Sequence, residues 1–208
     1  MDTFRLIADE RIRLADALIA LDPDEWDAPS LCGGWSVHLV AAHLNVPWSV
    51  SLPEILLAVT RARSLDGGFD RIAHDVAARL DPAACIAGLR EHADSTFTPP
   101  GSGPEAPLTD VLVHGADMLQ PLGRSVEIAP DALETSLTWL ARGRAKGFVP
   151  KGRVAGLVFE STDIDLQCGN GPSVVQGTAL ALCSSLCGRA SMLERLSGDG
   201  VEVLRKRM

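Results

Sequence analysis

The segment GGWSVHLVAAHL, residues 33–44, decides how this chain folds. Its glycine pair gives the backbone the freedom that a turn needs, and Ser36 can cap a helix that begins at the next residue. From Val37 to Leu57 the only charged residue is Glu54. A helix with almost no charge is buried nearly all round, so the pattern predicts a buried helix in a mainly helical protein.

Prolines and flanking segments divide the chain around this helix. Pro47 and Pro53 should kink or split it, because proline cannot continue the helical hydrogen-bond ladder. Residues 4–21 place apolar side chains at alternating three- and four-residue spacing, which is the pattern of a bundle helix. Arg11 interrupts that stripe, either as an edge residue whose charge reaches water or as a buried cation that faces a polar site.

Further helix signals extend the helical region over residues 1–148, which we predict to be one domain. The segment LDPDEW, residues 21–26, ends the first helix and restarts the chain, with Asp22 as the candidate N-cap. Asp81 opens a later helix in the same way. Apolar periodicity then predicts helices at about 69–80, 82–97, 108–119 and 130–145.

The C-terminal part of the chain changes character. Residues 153–177 contain short β-favouring runs broken by Asp, Gly, Asn and Pro, which predict a small antiparallel sheet with a hairpin turn at 169–171. Residues 178–196 return to helical periodicity, and VEVL at 201–204 is expected to be a closing strand. The sequence thus predicts a mainly α fold: a helical bundle followed by a small α+β domain over 149–208.

The composition excludes several classes of partner. The chain has 208 residues and a formal net charge of -8, whereas nucleic acids and anionic membranes recruit clustered lysine and arginine. A small molecule is therefore the expected partner. No apolar run is long enough for a membrane span or a signal core. The odd number of scattered cysteines fits a reduced compartment, so we expect a cytoplasmic protein with free thiols at Cys32, Cys85, Cys168, Cys183 and Cys187.

His43 lies in the least polar part of the chain. Its neighbours are Val40, Ala41, Ala42 and Leu44, so its side chain should be largely buried. A buried imidazole needs a partner, which in protein cores is usually a carbonyl or a carboxylate. The same ring is also a candidate metal ligand.

Asp110, His114 and Asp117 stand at positions i, i+4 and i+7 of a later helix, on one narrow face. A carboxylate and an imidazole one turn apart can converge on one ion, and His43 from a neighbouring helix completes a set of three ligands. Three protein ligands leave a coordination position for water or substrate, as in catalytic zinc sites. The alternative is a polar stripe facing solvent, and spacing alone favours that alternative.

Residues 33–44 and the segment DVLVHGADMLQPLG, residues 110–123, resemble the mycothiol-dependent maleylpyruvate isomerase-like family, part of the DinB-like metal-binding bundle superfamily. A tryptophan turn, a helix with His, a later carboxylate-x-x-x-His helix and a C-terminal Gly-Arg pair follow in the family's order. The resemblance implies a DinB-like four-helix bundle. It also implies that His43, Asp110 and His114 bind one divalent metal, with zinc as the expected ion.

The resemblance assigns roles to further residues and contains one departure. The characterised isomerase has Glu where this chain has Asp110, which is one methylene shorter and shifts the ligand geometry. The family's C-terminal arginine corresponds to Arg189, which is expected to be catalytic and to meet an anionic substrate or thiol cofactor. The alternative for Arg189 is a helix-end cation that satisfies the last carbonyls. Asp117 is expected behind the ligands, where it orients a ligand or Arg189.

The implied activity is the activation of mycothiol by a Lewis acid. The thiol binds as a thiolate and adds to an electrophilic carbon of a small substrate, in an isomerase-like reaction or, if the adduct is the product, as an S-transferase. Two alternatives stay open. A metal-dependent hydrolase would use the same ligands with a bound hydroxide. A non-catalytic family member would bind a small molecule, and the shorter carboxylate of Asp110 motivates that alternative.

Overall fold

The structure, a computed structural model, describes residues 2–125 and 127–208. Its strands are β1 (Leu157–Ser161), β2 (Gln167–Gly169) and β3 (Ser173–Gly177). Short 3₁₀-helices cover Pro23–Asp27, Gln120–Leu122 and Ala190–Arg195. The α-helices are α1 (Thr3–Ile19), α2 (Val37–Leu44), α3 (Val46–Ser49), α4 (Leu52–Ala62), α5 (Leu65–Ala77), α6 (Pro82–Glu91), α7 (Glu105–Leu119), α8 (Pro130–Ala141), α9 (Ala179–Leu186) and α10 (Gly200–Arg205).

Four of these helices form a bundle around one core. α7 packs against α1 and α2, and α6 closes the ring by packing against the same two helices. α5 packs against α2, and α8 packs against α7. The predicted mainly helical fold is therefore confirmed, and none of the described helices is long and apolar enough to cross a membrane. The bundle core includes Leu6, Leu14, Leu18, Val40, Ala41, Leu89, Leu108, Val111, Leu112 and Met118.

The central segment of the sequence folds as three helices. The Ser36 hydroxyl accepts a hydrogen bond from the Leu39 amide at 3.2 Å and so caps α2 as predicted. Pro47 lies in the first turn of α3 and Pro53 in the first turn of α4, so the prolines split the helix. The predicted burial is wrong in α4, where Leu57 is 48% exposed. The reason is that α4 packs mainly against α5 and turns its other face to solvent.

Arg11 is a buried cation rather than an edge residue. Its Nη1 donates hydrogen bonds to the carbonyl oxygens of His92, Ala93 and Ser95 at 3.0 to 3.1 Å. These carbonyls follow the last residue of α6, where a cation satisfies oxygens that lack intrahelical partners. α6 ends at Glu91, earlier than its periodicity predicts, and Arg11 binds carbonyls of the segment that follows.

The candidate N-cap at Asp22 precedes a 3₁₀-helix rather than an α-helix. Its backbone amide donates to Glu25 Oε2 at 2.8 Å, and the two residues form a capping box at the start of this 3₁₀-helix. Arg124 binds the same carboxylate with Nε at 2.9 Å and Nη2 at 2.8 Å. This pair joins the segment after α1 to the segment after α7, so the two helices end on the same side of the bundle.

The three C-terminal strands form one sheet with the order β2-β1-β3. β2 pairs antiparallel with β1, but β3 pairs parallel with it, so the prediction of an antiparallel sheet is right for one pairing only. Residues 169–171 connect β2 to β3, which are not neighbours, and the predicted hairpin turn is therefore wrong. A Cβ on Gly171 would lie 2.0 Å from the carbonyl carbon of Gly156, so only glycine allows the chain to pass the start of β1.

Residues 201–204 belong to α10 and do not form the predicted strand. Val201 and Leu204 are both buried, and their spacing of three residues places both on one face of a helix, whereas in a strand they would point to opposite faces. Asp199 accepts a hydrogen bond from the Val174 amide at 2.7 Å, which attaches this helix to β3. α9 packs against α7 and α8 and thereby brings Arg189, just after its end, beside α7.

Candidate metal centre

Two bundle helices bring three potential ligands together. His43 is in the last turn of α2, whereas Asp110 and His114 are one turn apart on α7. The ring centroids of the two histidines are 4.9 Å apart with planes inclined at 72°. Asp110 Oδ2 is 3.9 Å from His43 Nε2, and Asp110 Oδ1 is 3.5 Å from His114 Nε2. One ligand atom from each of the three residues lies within 4.8 Å of the others.

These separations fit a single divalent ion. Two ligand atoms at 2.0–2.2 Å from a tetrahedral ion are about 3.4 Å apart. The observed distances of 3.5 and 3.9 Å to the Asp110 carboxylate are close to that value, so small side-chain movements suffice to close the set. The Asp110 side chain is 33% exposed, which leaves one side of the group open to solvent or substrate.

Asp117 fixes the orientation of the His114 ring. His114 Nδ1 lies 3.0 Å from Asp117 Oδ2, so the ring presents Nε2 to Asp110 and His43. Burial lowers the pKa of His114, but Asp110, Asp117 and Cys32 together raise it to about 10. A carboxylate behind a histidine is the usual way to fix which ring nitrogen binds a metal.

His43 has the opposite electrostatic environment. The pKa of His43 is lowered to about 4, mainly by burial. The negative charge of Asp110 acts to raise this pKa, whereas the positive charges of His114 and Arg189 lower it further. The lowered pKa favours the neutral ring, which is the state that a metal ligand requires, whereas the raised pKa of His114 means that a bound ion must displace its proton. Its Nδ1 is buried and has no hydrogen-bond partner among the described residues. Trp35 packs against the ring at a centroid distance of 5.3 Å and donates from Nε1 to Asp70 Oδ1 at 2.8 Å.

Arg189 forms a buried ion pair behind the histidine. Its Nε donates to both oxygens of Asp117, at 3.0 and 3.2 Å, and its Nη2 donates to the same carboxylate. Burial raises the pKa of Asp117, but the hydrogen bonds from His114 and Arg189 outweigh this and lower it. Arg189 Nη1 donates to the Cys187 carbonyl at 2.8 Å, near the end of α9. Arg189 thus contacts both a carboxylate and a helix-end carbonyl.

Cys32 is a residue of this region that the sequence patterns did not single out. Arg189 Nη2 donates to its Sγ at 3.3 Å, and the Leu31 amide donates to the Asp117 carbonyl at 3.0 Å. Cys32, His114 and Asp117 also have ligand atoms within 4.8 Å of one another. The guanidinium of Arg189 already neutralises that group, so the set with His43 is the better cation site. The signal in the sequence that points to Cys32 is its position immediately before the glycine pair.

Fold and geometry together define a class: a helical-bundle protein in which two histidines and a carboxylate from two helices converge, backed by an Asp–Arg pair. The family model for the mycothiol maleylpyruvate isomerase N-terminal domain matches residues 7–119. The chain therefore belongs to the mycothiol maleylpyruvate isomerase family, as the resemblance implied. The matched range contains the three converging residues and Asp117 but not Arg189.

Solved structures agree with this membership at the level of the fold. The crystal structure of the mycothiol-dependent maleylpyruvate isomerase is similar with a TM-score of 0.57 and 18% sequence identity, and the match covers 95% of this chain and 92% of that chain. A histidine-to-alanine mutant of that enzyme matches with a TM-score of 0.58 and the same identity and coverage. Comparison with curated protein sequences finds no significant match.

Proposed function

We propose that this protein is a metal-dependent enzyme that activates mycothiol for addition to a small electrophilic substrate, as an isomerase or an S-transferase. The observation that carries the proposal is the convergence of His43, Asp110 and His114 within 4.8 Å in a member of this family. Zinc is the expected ion, because it accepts two imidazoles and a carboxylate and leaves a position open. We expect the protein to act in the cytoplasm, where low-molecular-weight thiols are reduced.

The chain's own residues prepare the site for this chemistry. A divalent ion, when bound, lowers the pKa of a thiol that coordinates it, so that this thiol is a thiolate at neutral pH. Asp117 holds the His114 ring with Nε2 forward, and burial keeps His43 neutral. The shorter carboxylate of Asp110 still lies between the two rings, which supports its role as the third ligand.

The position of Arg189 favours binding of an anionic substrate or thiol cofactor. Its Nη2 lies 3.5 Å from His114 Nδ1, so the guanidinium adjoins the converging residues. The ion pair with Asp117 fixes its plane, and a fixed guanidinium can bind a carboxylate with two parallel hydrogen bonds. We propose that Arg189 contacts the negative charge of a ligand in addition to its helix-end contact with Cys187.

Metal analysis and turnover together test the proposal. The purified protein should contain about one equivalent of a divalent metal, or bind it on titration. His43→Ala and His114→Ala should each abolish that binding, whereas Asp110→Glu should retain or strengthen it. His74→Ala is the control, because His74 lies on the exposed face of α5 and contacts Asp70. A protein that neither contains nor binds a divalent ion contradicts the proposal.

The thiol requirement separates this function from the alternatives. With mycothiol and an electrophilic substrate such as maleylpyruvate, the metal-loaded protein should consume substrate only when the thiol is present. Turnover that is independent of any thiol indicates a hydrolase with the same ligands. Saturable binding of thiol or substrate with no turnover of either indicates a non-catalytic family member.

A further inference from the structure

The outer face of α4 is an apolar surface that the described residues leave uncovered. These residues expose six large hydrophobic side chains, and four of them belong to α4 and α5. Leu52 is 59% exposed and Leu56 is 68% exposed, one turn apart on α4. Leu57 follows Leu56 in the sequence, and Phe69 of α5 is also exposed. Exposed apolar residues grouped in this way mark an interaction site.

The inner face of α4 is already occupied. Ala58 is buried, and a Cβ on Gly68 of α5 would lie 2.6 Å from the Cα of Val59, so the two helices are in backbone contact. α4 therefore cannot rotate to cover its leucines against α5. Another molecule is needed to bury them.

The charges at the edge of this face indicate which molecule that is. Glu54 and Arg61 are seven residues apart, so they lie on the same side of α4, next to Leu57. Both are exposed, with the acid near the start of the helix and the base near its end. If two copies of α4 pack antiparallel around a two-fold axis, each Glu54 lies opposite Arg61 of the partner subunit. The charges of this helix edge are thus complementary to themselves.

We propose that α4 docks against α4 of a second copy of this chain, in an antiparallel arrangement around a two-fold axis. Leu52, Leu56 and Leu57 form the apolar centre of the interface, and the two pairs of Glu54 with Arg61 of the partner subunit form its rim. Such an isologous contact closes on itself and gives a dimer. Antiparallel packing also places the helix dipoles in their favourable relative orientation.

The molar mass of the full chain in solution is the first test. Sedimentation over a range of concentrations should show a monomer–dimer equilibrium for the wild type. Leu56→Glu places a charge at the centre of the interface and should give a monomer. Ile19→Glu is the matched control, because Ile19 is a similarly exposed apolar residue outside α4, at 58%, and this variant should still dimerise. A wild type that stays monomeric up to about 1 mM, or a Leu56→Glu dimer, overturns the proposal.

Charge reversal tests the antiparallel register. Glu54→Lys brings a second base opposite Arg61 of the partner subunit, and Arg61→Glu brings two acids together, so each variant should dimerise about tenfold or more weakly. An equimolar mixture of the two variants should form a heterodimer, because both rim pairs then carry opposite charges. If the mixture remains monomeric while both variants are folded by circular dichroism, the proposed register is wrong.

A capping control keeps this experiment interpretable. Glu54 also accepts hydrogen bonds from the Ser51 amide at 2.8 Å and the Ser51 hydroxyl at 2.6 Å, which cap the start of α4. Ser51→Ala weakens the cap without changing any charge and should dimerise like the wild type. If Ser51→Ala lost the dimer to the same degree as Glu54→Lys, capping rather than charge pairing would be responsible, and the proposed rim contact would be wrong.

Discussion

Asp117→Asn is the substitution for which the structure makes the sharpest prediction. The carboxylate is fully buried and accepts hydrogen bonds from both His114 and Arg189. Removing one partner of a buried ion pair costs about 3–5 kcal/mol. Because the Arg189 side chain is 15% exposed, we expect a loss of unfolding free energy at the lower end of this range, about 3 kcal/mol. In a chain of this length, that loss lowers Tm by about 6–12 °C.

The same substitution should weaken the proposed metal centre through His114. Asparagine has one acceptor oxygen and cannot hold the His114 ring and the Arg189 guanidinium as the carboxylate does. Loss of such a supporting group typically weakens metal affinity by about 10–100-fold. Titration of the metal-free protein with zinc in a calorimeter measures this change directly.

The stability and the affinity changes are measured separately. Thermal unfolding of the metal-free protein reports the ion pair, and zinc titration below the unfolding transition reports the ligand. Asp75→Asn is the control, because its carboxylate is 64% exposed and 3.9 Å from Arg71, a surface pair worth at most about 1 kcal/mol. If Asp117→Asn unfolds with the wild-type Tm and binds zinc with the wild-type affinity, the assigned role of Asp117 is wrong.

Two other predictions concern packing and thiol chemistry. Gly68→Ala should destabilise the protein by about 1–3 kcal/mol in denaturant unfolding, because the new Cβ would lie 2.6 Å from Val59 Cα, whereas Gly33→Ala meets nothing within 4 Å and should cost far less. In the native protein, a thiol reagent should label Cys32 before Cys183, because Cys183 is buried and burial raises its pKa well above its usual value. Equal labelling rates for these two cysteines, measured by peptide mass spectrometry, would contradict that prediction.

The sequence was sufficient for the parts of the fold that depend on local signals. The Ser36 cap and the splitting prolines are found where they were predicted, because each acts within a few residues of its own position. Helical spacing placed Asp110 and His114 on one face, but spacing alone favoured a polar stripe facing solvent, and His43 was singled out by its apolar neighbours. That α2 and α7 pack together was not visible from spacing and came from the family resemblance.

Contacts between distant segments were beyond the sequence. The Asp117–Arg189 pair joins residues 72 positions apart, and only the packing of α9 on α7 brings them together. The sheet prediction failed for a similar reason, because residues 169–171 look like a hairpin turn whether or not another strand lies between their flanking strands. The exposure of α4 was missed because an apolar composition does not distinguish a core helix from one with an uncovered face. The boundary between domains at 148 and 149 stays a prediction.

The position of Arg189 outside the matched range has a consequence for how such sites diversify. The converging histidines, the carboxylate and Asp117 are all encoded before residue 120, but the cation that neutralises Asp117 is encoded near the chain's end. A substitution in the C-terminal stretch can therefore change the charge behind His114 and leave every ligand intact, without any mutation in the bundle that holds the centre.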